Sequence, residues 1–262
     1  MSAIGLTFRL LGHGIAYSAS PAMMTAAFAH LGLPHRYVLA DIAEEELAAT
    51  VELLRHADAG GANVTVPHKA AVAALVDEMS EAAREADAVN TVVRDGERLI
   101  GHNTDLPATV DAIGRLCPGG VGHALVLGAG GAGRAVQLAL RKFGAERISI
   151  LRRSDGSMAG LADEIGTADL LVNATPVGTG RDETPVPAAL LRANVAVLDL
   201  VYRPSPTRLV REARARGARA EAGAAILLGQ AWRALELWLG RPAPVAVMHD
   251  ALQSELGGQA DG

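Results

Sequence analysis

The chain has 262 residues, of which 50% are hydrophobic but only 3% are aromatic, and its formal net charge is -5. A chain of this length can bury one large core or two smaller ones, and a composition rich in Ala, Val and Leu is typical of helices packed on a buried sheet. An α/β protein is therefore predicted. The acidic balance, without a stripe of basic residues and interleaved aromatics, argues against nucleic acid as a partner.

Cysteine and histidine usage points to a reducing compartment without structural metal. Cys117 is the single cysteine, so no internal disulfide can form, and the eight histidines are not set at metal-ligand spacing. No apolar run reaches the roughly 18 residues that a membrane-spanning helix needs, and the N-terminus lacks the pattern of an export signal. We therefore predict a cytoplasmic protein with no metal site and no membrane association.

The first hundred residues alternate short apolar runs with Ala-rich helical stretches, a βαβ rhythm. The predicted strands are 4–11, 37–40, 62–66, 88–93 and 98–101, and the predicted helices are 21–31, 44–55 and 69–79. Asp95-Gly96 between the last two strands has the composition of a tight hairpin turn.

A second alternating series follows a connecting helix over 106–116 and a flexible joint over 117–122. Its predicted strands are 124–127, 148–151, 170–173 and 195–200, with a helix over 134–143 and final helices over 226–239 and 245–256. The series predicts a first domain over residues 1–106 and a second over residues 107–230, with the final helices beyond it.

A glycine-rich loop opens this second series. Gly128-Ala129-Gly130-Gly131-Ala132-Gly133 has the spacing GxGxxG, directly after an apolar strand and at the start of an Ala-rich helix. In that context the glycines permit a tight turn and close backbone approach to a pyrophosphate at the helix N-terminus. The loop predicts a dinucleotide site.

The next strand indicates which dinucleotide binds. An NAD site usually places an acidic residue at its end, whereas here Arg152, Arg153 and Ser154 follow. Arginine presents paired donors that match phosphate oxygens, so NADP is preferred. Asp155 keeps NAD as an alternative, because it offers a carboxylate nearby.

Four polar stretches precede residue 106, and each follows or ends a predicted strand, where α/β sheets gather their ligands. Their hydroxyls, amides, lysine and carboxylate would suit a small polyhydroxylated acid. The stretches are Ser18-Ala-Ser20-Pro21, Asn63-Val-Thr65-Val-Pro-His-Lys69, Asn90-Thr91 and Asn103-Thr104-Asp105.

Together these stretches resemble the signatures of the shikimate dehydrogenase family, in the right order and over nearly the whole chain. Further matches are Asn173 to Gly178, Asp199 to Tyr202 and the helix around Gln230. The resemblance implies an N-terminal α/β substrate domain, a Rossmann-type NADP domain, and C-terminal helices over 231–262 that return to the first domain and complete it. It also implies a place in aromatic amino acid biosynthesis through chorismate.

The resemblance also implies roles for individual residues. Lys69 and Asp105 match the catalytic dyad, Ser18 and Ser20 the ligands of the substrate carboxylate, and Thr175 and Val201 cofactor positions. The remaining substrate-binding positions match Asn63, Thr65, Asn90, Tyr202 and Gln230. In this hypothesis Lys69 donates the proton to the reacting oxygen when the substrate is reduced, while Asp105 orients the lysine.

The chain departs from the family pattern at Gly14, Tyr17, Thr179 and Ala225-Ile226. Quinate or aminoshikimate therefore stays open as the substrate, and Ser20 argues mildly against quinate, since quinate-active relatives tend to carry threonine there. A non-catalytic NAD(P)-binding regulatory protein is the rival of another class, against which the retained Lys69 and Asp105 speak. A monomer or a homodimer is expected.

Overall fold

A computed structural model describes residues 5–257 and divides the chain into two compact units. The first unit consists of Met1–Asp105 together with Leu228–Gly262, and the second of Leu106–Leu227.

The N-terminal part of the chain contributes six strands and four short helices. They are β1 Thr7–Gly12, α1 Ser20–His30, β2 Arg36–Asp41, α2 Glu44–Glu52, β3 Ala59–Val64, α3 Lys69–Ala73, β4 Glu78–Met79, α4 Glu81–Ala86, β5 Thr91–Asp95 and β6 Arg98–His102. The strands form one sheet in the order β2-β1-β3-β5-β6-β4. Strand β1 runs parallel to β2 and β3, whereas β5 is antiparallel to β3 and β6.

Two glycines let β3 lie under bulky aromatic side chains. A Cβ on Gly60 would lie 2.3 Å from the Phe8 ring, and one on Gly61 would lie 2.6 Å from the Trp238 indole nitrogen. The strand therefore starts at Ala59, three residues before the predicted start at Ala62. The predicted hairpin turn is present, since Gly96 has φ +63° and joins the antiparallel strands β5 and β6.

The predicted helix over 69–79 is wrong in its second half. Helix α3 ends at Ala73, and Glu78–Met79 pairs with β6 as the edge strand β4. The Asp77 carboxylate accepts a hydrogen bond from the Leu99 backbone N–H (2.7 Å) and forms an ion pair with Arg55. These two contacts hold the segment before β4 against the sheet. Helix α4 was not predicted, although Ser80 caps it by accepting the Ala83 N–H.

The middle of the chain forms five parallel strands, and four helices follow or lead into them. They are α5 Asp105–Leu116, β7 His123–Leu127, α6 Gly131–Phe143, β8 Arg147–Leu151, α7 Leu161–Thr167, β9 Leu170–Asn173, β10 Ala196–Asp199, α8 Arg208–Ala215 and β11 Ala220–Ala222. The sheet order is β11-β10-β9-β7-β8. Strands β7 and β9 are buried along their whole length, as parallel strands covered on both faces require.

The carboxyl ends of four of these strands lie in register. Leu127 pairs with Leu151 and with Asn173, and Asn173 pairs with Asp199. The segments that begin at Gly128, Arg152, Ala174 and Leu200 therefore leave the sheet at one edge, where open α/β sheets bind their ligands.

The chain ends with α9 Ala224–Leu239 and α10 Val245–Gly257. Within the first unit, α10 packs along α1, and Trp238 of α9 lies on the Phe8 ring with 4.8 Å between ring centroids. The predicted fold class, two α/β parts with C-terminal helices that return to the first, is confirmed. Among the described residues, none of the helices is both long and apolar enough to cross a membrane.

Candidate active site

A lysine and an aspartate from two helix starts meet in the first unit. Lys69 is the first residue of α3 and Asp105 the first residue of α5, and Lys69 Nζ donates a hydrogen bond to Asp105 Oδ2 at 2.7 Å. Their side chains are 32% and 25% exposed, so a ligand can reach both groups. The Lys69 backbone is held as well, because its carbonyl accepts the Val89 N–H (2.8 Å).

The two predicted carboxylate ligands lie at the start of α1. Ser20 is buried and begins the helix, and its backbone N–H donates to Ser18 Oγ at 3.3 Å. Pro21 occupies the first turn, and no other side chain caps this end of the helix. Hydroxyl and N–H donors at a helix N-terminus are well suited to an anion.

Two buried amides lie at the end of β3 and just before β5. Asn63 and Asn90 are 4% and 2% exposed, and Asn63 Nδ2 donates to the Asn90 carbonyl at 3.3 Å. Asn90 in turn holds Thr104, whose N–H donates to Asn90 Oδ1 at 2.8 Å. The amides are thus joined to the residue that precedes Asp105.

The other predicted substrate positions lie in three different segments of the chain. Thr65 is half-buried just after β3, and its N–H donates to the Leu11 carbonyl (2.8 Å). Gln230 is buried in the part of α9 that belongs to the first unit. Tyr202 lies in the second unit, in the segment that follows β10.

The glycine loop of the second unit joins β7 to α6. Gly128 has φ +100°, which favours glycine, and its N–H donates to the Leu151 carbonyl at 2.8 Å. No side chain caps the N-terminus of α6 at Gly130, so the N–H groups of Gly131 and Ala132 are left for another acceptor. Among the described residues, nothing lies within 4 Å of a Cβ built on Gly130 or Gly131. Such an open helix end fits a pyrophosphate.

In the loop after β8, the Asp155 carboxylate bonds to two residues of the same loop. Asp155 Oδ1 accepts the Ser157 N–H at 3.0 Å, and Asp155 Oδ2 pairs with Arg152 at 3.1 Å. The hydrogen bonds from Ser157, and then the Arg152 charge, hold the pKa of Asp155 below its ordinary value. Arg153 and Ser154 are exposed, and within residues 5–257 the Arg153 guanidinium has no ion-pair partner. The arginine is therefore available to an anion, while the carboxylate is engaged.

A buried carboxylate organises the remaining loops at this sheet edge. Asp199 is 1% exposed and accepts hydrogen bonds from Asn173 Nδ2 (2.9 Å), the Val201 N–H (3.1 Å) and the Thr207 hydroxyl (2.7 Å). Asn173 Oδ1 accepts both the N–H and the hydroxyl of Thr175, at 3.0 and 2.7 Å. Thr175 and Val201, predicted at the cofactor, are thus held by one cluster.

Burial shifts the titration of that carboxylate. Desolvation raises the pKa of Asp199 above its ordinary value, and the hydrogen bonds from Thr207, Val201 and Asn173 offset part of the rise.

Sequence reasoning missed Tyr37 and assigned no role to Thr91 and Thr104. The Tyr37 hydroxyl donates to Asn63 Oδ1 at 2.8 Å. The signal available was a tyrosine inside an otherwise apolar strand, since a buried phenol needs a hydrogen-bond partner. Within residues 5–257 no group of three or more His, Cys, Asp or Glu side chains is placed to hold a metal ion.

Comparison with known proteins gives the family. Residues 10–92 match the profile of the shikimate dehydrogenase substrate binding domain, and residues 223–253 that of the shikimate 5'-dehydrogenase C-terminal domain. The shikimate dehydrogenase (NADP(+)) of Rubrobacter xylanophilus is 42% identical over 94% of this chain and 95% of its own length. The chain belongs to the shikimate dehydrogenase family.

Two solved structures superpose on nearly the whole of this chain. Shikimate 5-dehydrogenase of Thermus thermophilus, in complex with NADP(H) and shikimate, superposes with a TM-score of 0.83 at 40% identity, covering 96% of this chain and 100% of that one. Quinate dehydrogenase of Corynebacterium glutamicum, in complex with NAD, superposes with a TM-score of 0.84 at 29% identity, covering 95% and 99%.

Proposed function

We propose that this protein is an NADP-dependent oxidoreductase that interconverts 3-dehydroshikimate and shikimate. The observation that carries the proposal is the contact of 2.7 Å between Lys69 and Asp105, in the unit that also holds the two serines and the two amides. The solved relative with NADP(H) and shikimate, at 40% identity, supports the same pair of ligands.

Lys69 transfers the proton of the reaction, and Asp105 positions Lys69. In the reductive direction the ring carbon gains a hydride and its oxygen gains a proton, which the Lys69 ammonium donates. Asp105 holds the ammonium on the reacting oxygen and accepts a hydrogen bond from the neighbouring ring hydroxyl. In the oxidative direction the neutral lysine takes the proton back.

Other side chains of the first unit bind the carboxylate and the ring hydroxyls of the substrate. Ser18 and Ser20 hold its carboxylate at the start of α1, where the helix end adds favourable partial charge. Asn63, Thr65, Asn90 and Gln230 hold the ring hydroxyls. Tyr202, in the segment that follows β10, is the remaining predicted substrate-binding residue.

The residues of the second unit fit NADP, which supplies or accepts the hydride at its nicotinamide. The uncapped start of α6 and the open space at Gly130 suit the pyrophosphate. Arg153 and Ser154 suit a 2′-phosphate, because Arg153 has no ion-pair partner within the described residues and Asp155 is occupied by Ser157 and Arg152. NAD is the alternative cofactor.

Quinate is the second candidate substrate, because a quinate dehydrogenase superposes over 95% of this chain.

A cytoplasmic location fits a biosynthetic oxidoreductase whose single cysteine, Cys117, is buried as a free thiol. A monomer or homodimer stays a prediction.

The test measures absorbance at the NADPH band with shikimate, quinate and an aminoshikimate, each with NADP and with NAD. We expect the highest kcat/KM with shikimate and NADP. Lys69→Ala should lower kcat by about 10² or more with unchanged NADP affinity, because proton transfer by a positioned group contributes about 10² to 10⁴. The matched control is Lys142→Ala, at the chain's only other lysine, exposed on α6. Turnover by Lys69→Ala within threefold of the control would exclude the catalytic assignment.

A further inference from the structure

Five polar side chains of the first unit form one continuous chain of hydrogen bonds, which we call the amide chain. Its members, in order, are Tyr37, Asn63, Thr91, Asn90 and Thr104. We propose that Tyr37 is a positioning residue for the substrate, because it stabilises Asn63 directly, and Asn90 through Asn63 and Thr91, in the orientation that holds the ring hydroxyls. The inference rests on the proposed function and extends it to a residue that does not touch the substrate.

The orientation of the first amide follows from its two neighbours. Asn63 Nδ2 lies 3.3 Å from the Asn90 carbonyl, which can only accept, so the NH₂ group must face it. Asn63 Oδ1 then faces Tyr37, and the phenol must donate at 2.8 Å. If the amide were rotated by half a turn, two carbonyl oxygens would face each other in a buried space. Tyr37 supplies the only donor that the described structure gives to Asn63 Oδ1.

The same reasoning applies to the second amide, that of Asn90. Thr91 Oγ1 accepts from Asn63 Nδ2 at 3.0 Å, so its single hydrogen is free to donate to Asn90 Oδ1 at 3.1 Å. Asn90 Oδ1 also accepts the Thr104 N–H, which leaves Asn90 Nδ2 to donate to Thr104 Oγ1 at 2.9 Å. The amide chain thus ends one residue before Asp105.

The Tyr37 hydroxyl is well placed to act as a permanent hydrogen-bond donor. It is 7% exposed on β2 and packs near Trp238, with 6.4 Å between ring centroids. Burial raises the pKa of Tyr37 well above that of an ordinary phenol, so the hydroxyl keeps its proton throughout the pH range of enzyme assays. The phenol therefore stays a donor to Asn63 Oδ1 and stabilises the orientation of Asn63 that the Asn90 carbonyl also requires.

The test compares two variants of the same aromatic cluster. Tyr37→Phe removes only the phenolic oxygen, whereas the control Trp238→Phe removes the indole donor to the Val92 carbonyl (3.0 Å), which is outside the amide chain. We expect Tyr37→Phe to raise the shikimate KM and Kd about tenfold, with NADP affinity within twofold of wild type, since an unpaired buried acceptor is costly. Trp238→Phe should leave the shikimate KM within twofold even if it lowers the melting temperature more.

A double-mutant cycle separates positioning from general destabilisation. Tyr37→Phe and Thr104→Val lie at opposite ends of the amide chain, and their effects on kcat/KM should be clearly non-additive. Trp238→Phe and Thr104→Val should be additive.

Two outcomes would overturn the proposal: a shikimate KM within twofold of wild type in Tyr37→Phe, or an equal rise in Trp238→Phe. Failure of the proposed function is distinct, because the wild-type protein would then not reduce NADP with shikimate. In that case the same variants are compared by calorimetric titration with quinate and with an aminoshikimate, and an unchanged Kd of Tyr37→Phe for the acid that binds the wild type overturns the proposal.

Discussion

Alanine substitutions at two glycines, Gly130 at the end of the loop between β7 and α6 and Gly133 in the first turn of α6, are expected to have different effects. A Cβ on Gly133 would lie 2.2 Å from the Gly128 carbonyl oxygen and 2.9 Å from its carbon, whereas a Cβ on Gly130 would meet nothing within 4 Å among the described residues. Gly133 is thus needed by the fold of the loop itself. Gly130 is needed only if another molecule approaches its backbone.

The Gly133→Ala change requires the helix to move away from the strand. Ordinary contact begins at 3.4 Å, so the backbone must open by about 1.2 Å (3.4 minus 2.2). Overpacking of this kind costs about 1 to 3 kcal/mol. In a chain of this size that corresponds to a melting temperature lower by roughly 4 to 8 °C for about 2 kcal/mol. NADP affinity should fall as well, because the same movement displaces the start of α6.

Gly130→Ala should melt within about 4 °C of wild type without cofactor, since the change at a helix cap costs only a few tenths of a kcal/mol to about 1 kcal/mol. Its NADP Kd should rise about tenfold or more, because the methyl group occupies the space of the pyrophosphate. Differential scanning fluorimetry without cofactor and calorimetric NADP titration measure the two effects. Normal NADP binding by Gly130→Ala would refute the assignment of this loop to the cofactor.

Three further outcomes follow from the same structure. Arg153→Ala should raise the NADP KM about tenfold with little change for NAD, measured by steady-state kinetics with both cofactors; an equal loss for both would remove Arg153 from the 2′-phosphate. Ser18→Ala should raise the shikimate KM more than it lowers kcat, because a carboxylate contact is made equally in ground and transition states; a fall in kcat alone would contradict it. Asp199→Asn should make the protein relatively more stable than wild type as the pH rises above the ordinary carboxyl pKa of about 4.

The strands and the long helices could be predicted because their signal is local. Buried parallel strands are continuous apolar runs, and Leu170–Asn173 was predicted with the bounds observed. The helix over 69–79 could not be divided correctly, since its second half joins the sheet through Asp77, whose partners Arg55 and Leu99 lie 22 residues away on either side. Helices α7 and α8 and the edge strand β11 were also missed, being short elements fixed by packing.

The site residues could be identified from motif resemblance, but their contacts could not. Lys69 and Asp105 are separated by 36 positions in the sequence, and their contact depends on where α3 and α5 begin. Tyr37 reaches Asn63 across β1, because the sheet order is β2-β1-β3. Nothing local to either residue specifies that order, so the amide chain emerged only from the register of the folded sheet.

The Asp199 prediction depends on the sign of its pKa shift. Burial raises the pKa of this carboxyl in the folded protein, so the folded state holds a proton more tightly than the unfolded chain does. The free energy of unfolding therefore falls as the pH rises from the ordinary carboxyl pKa through the raised value, by about 1.4 kcal/mol for each unit of the rise. In Asp199→Asn the amide oxygen can still accept from Asn173 and Val201, while its NH₂ group replaces the oxygen that accepts from Thr207.

The variant has no carboxyl proton to lose, so its melting temperature minus that of wild type should increase as the pH rises above about 4, the ordinary carboxyl pKa, and should level off above the raised pKa of Asp199. The control is Asp163→Asn, the same chemical change at an exposed position on α7. Its difference from wild type should not follow the same rise, because a carboxylate in water is not desolvated by folding. A difference for Asp199→Asn that decreases with pH would mean that the hydrogen bonds from Thr207, Val201 and Asn173 outweigh burial. The cluster that holds Thr175 and Val201 would then depend on a carboxylate that folding stabilises in its charged form.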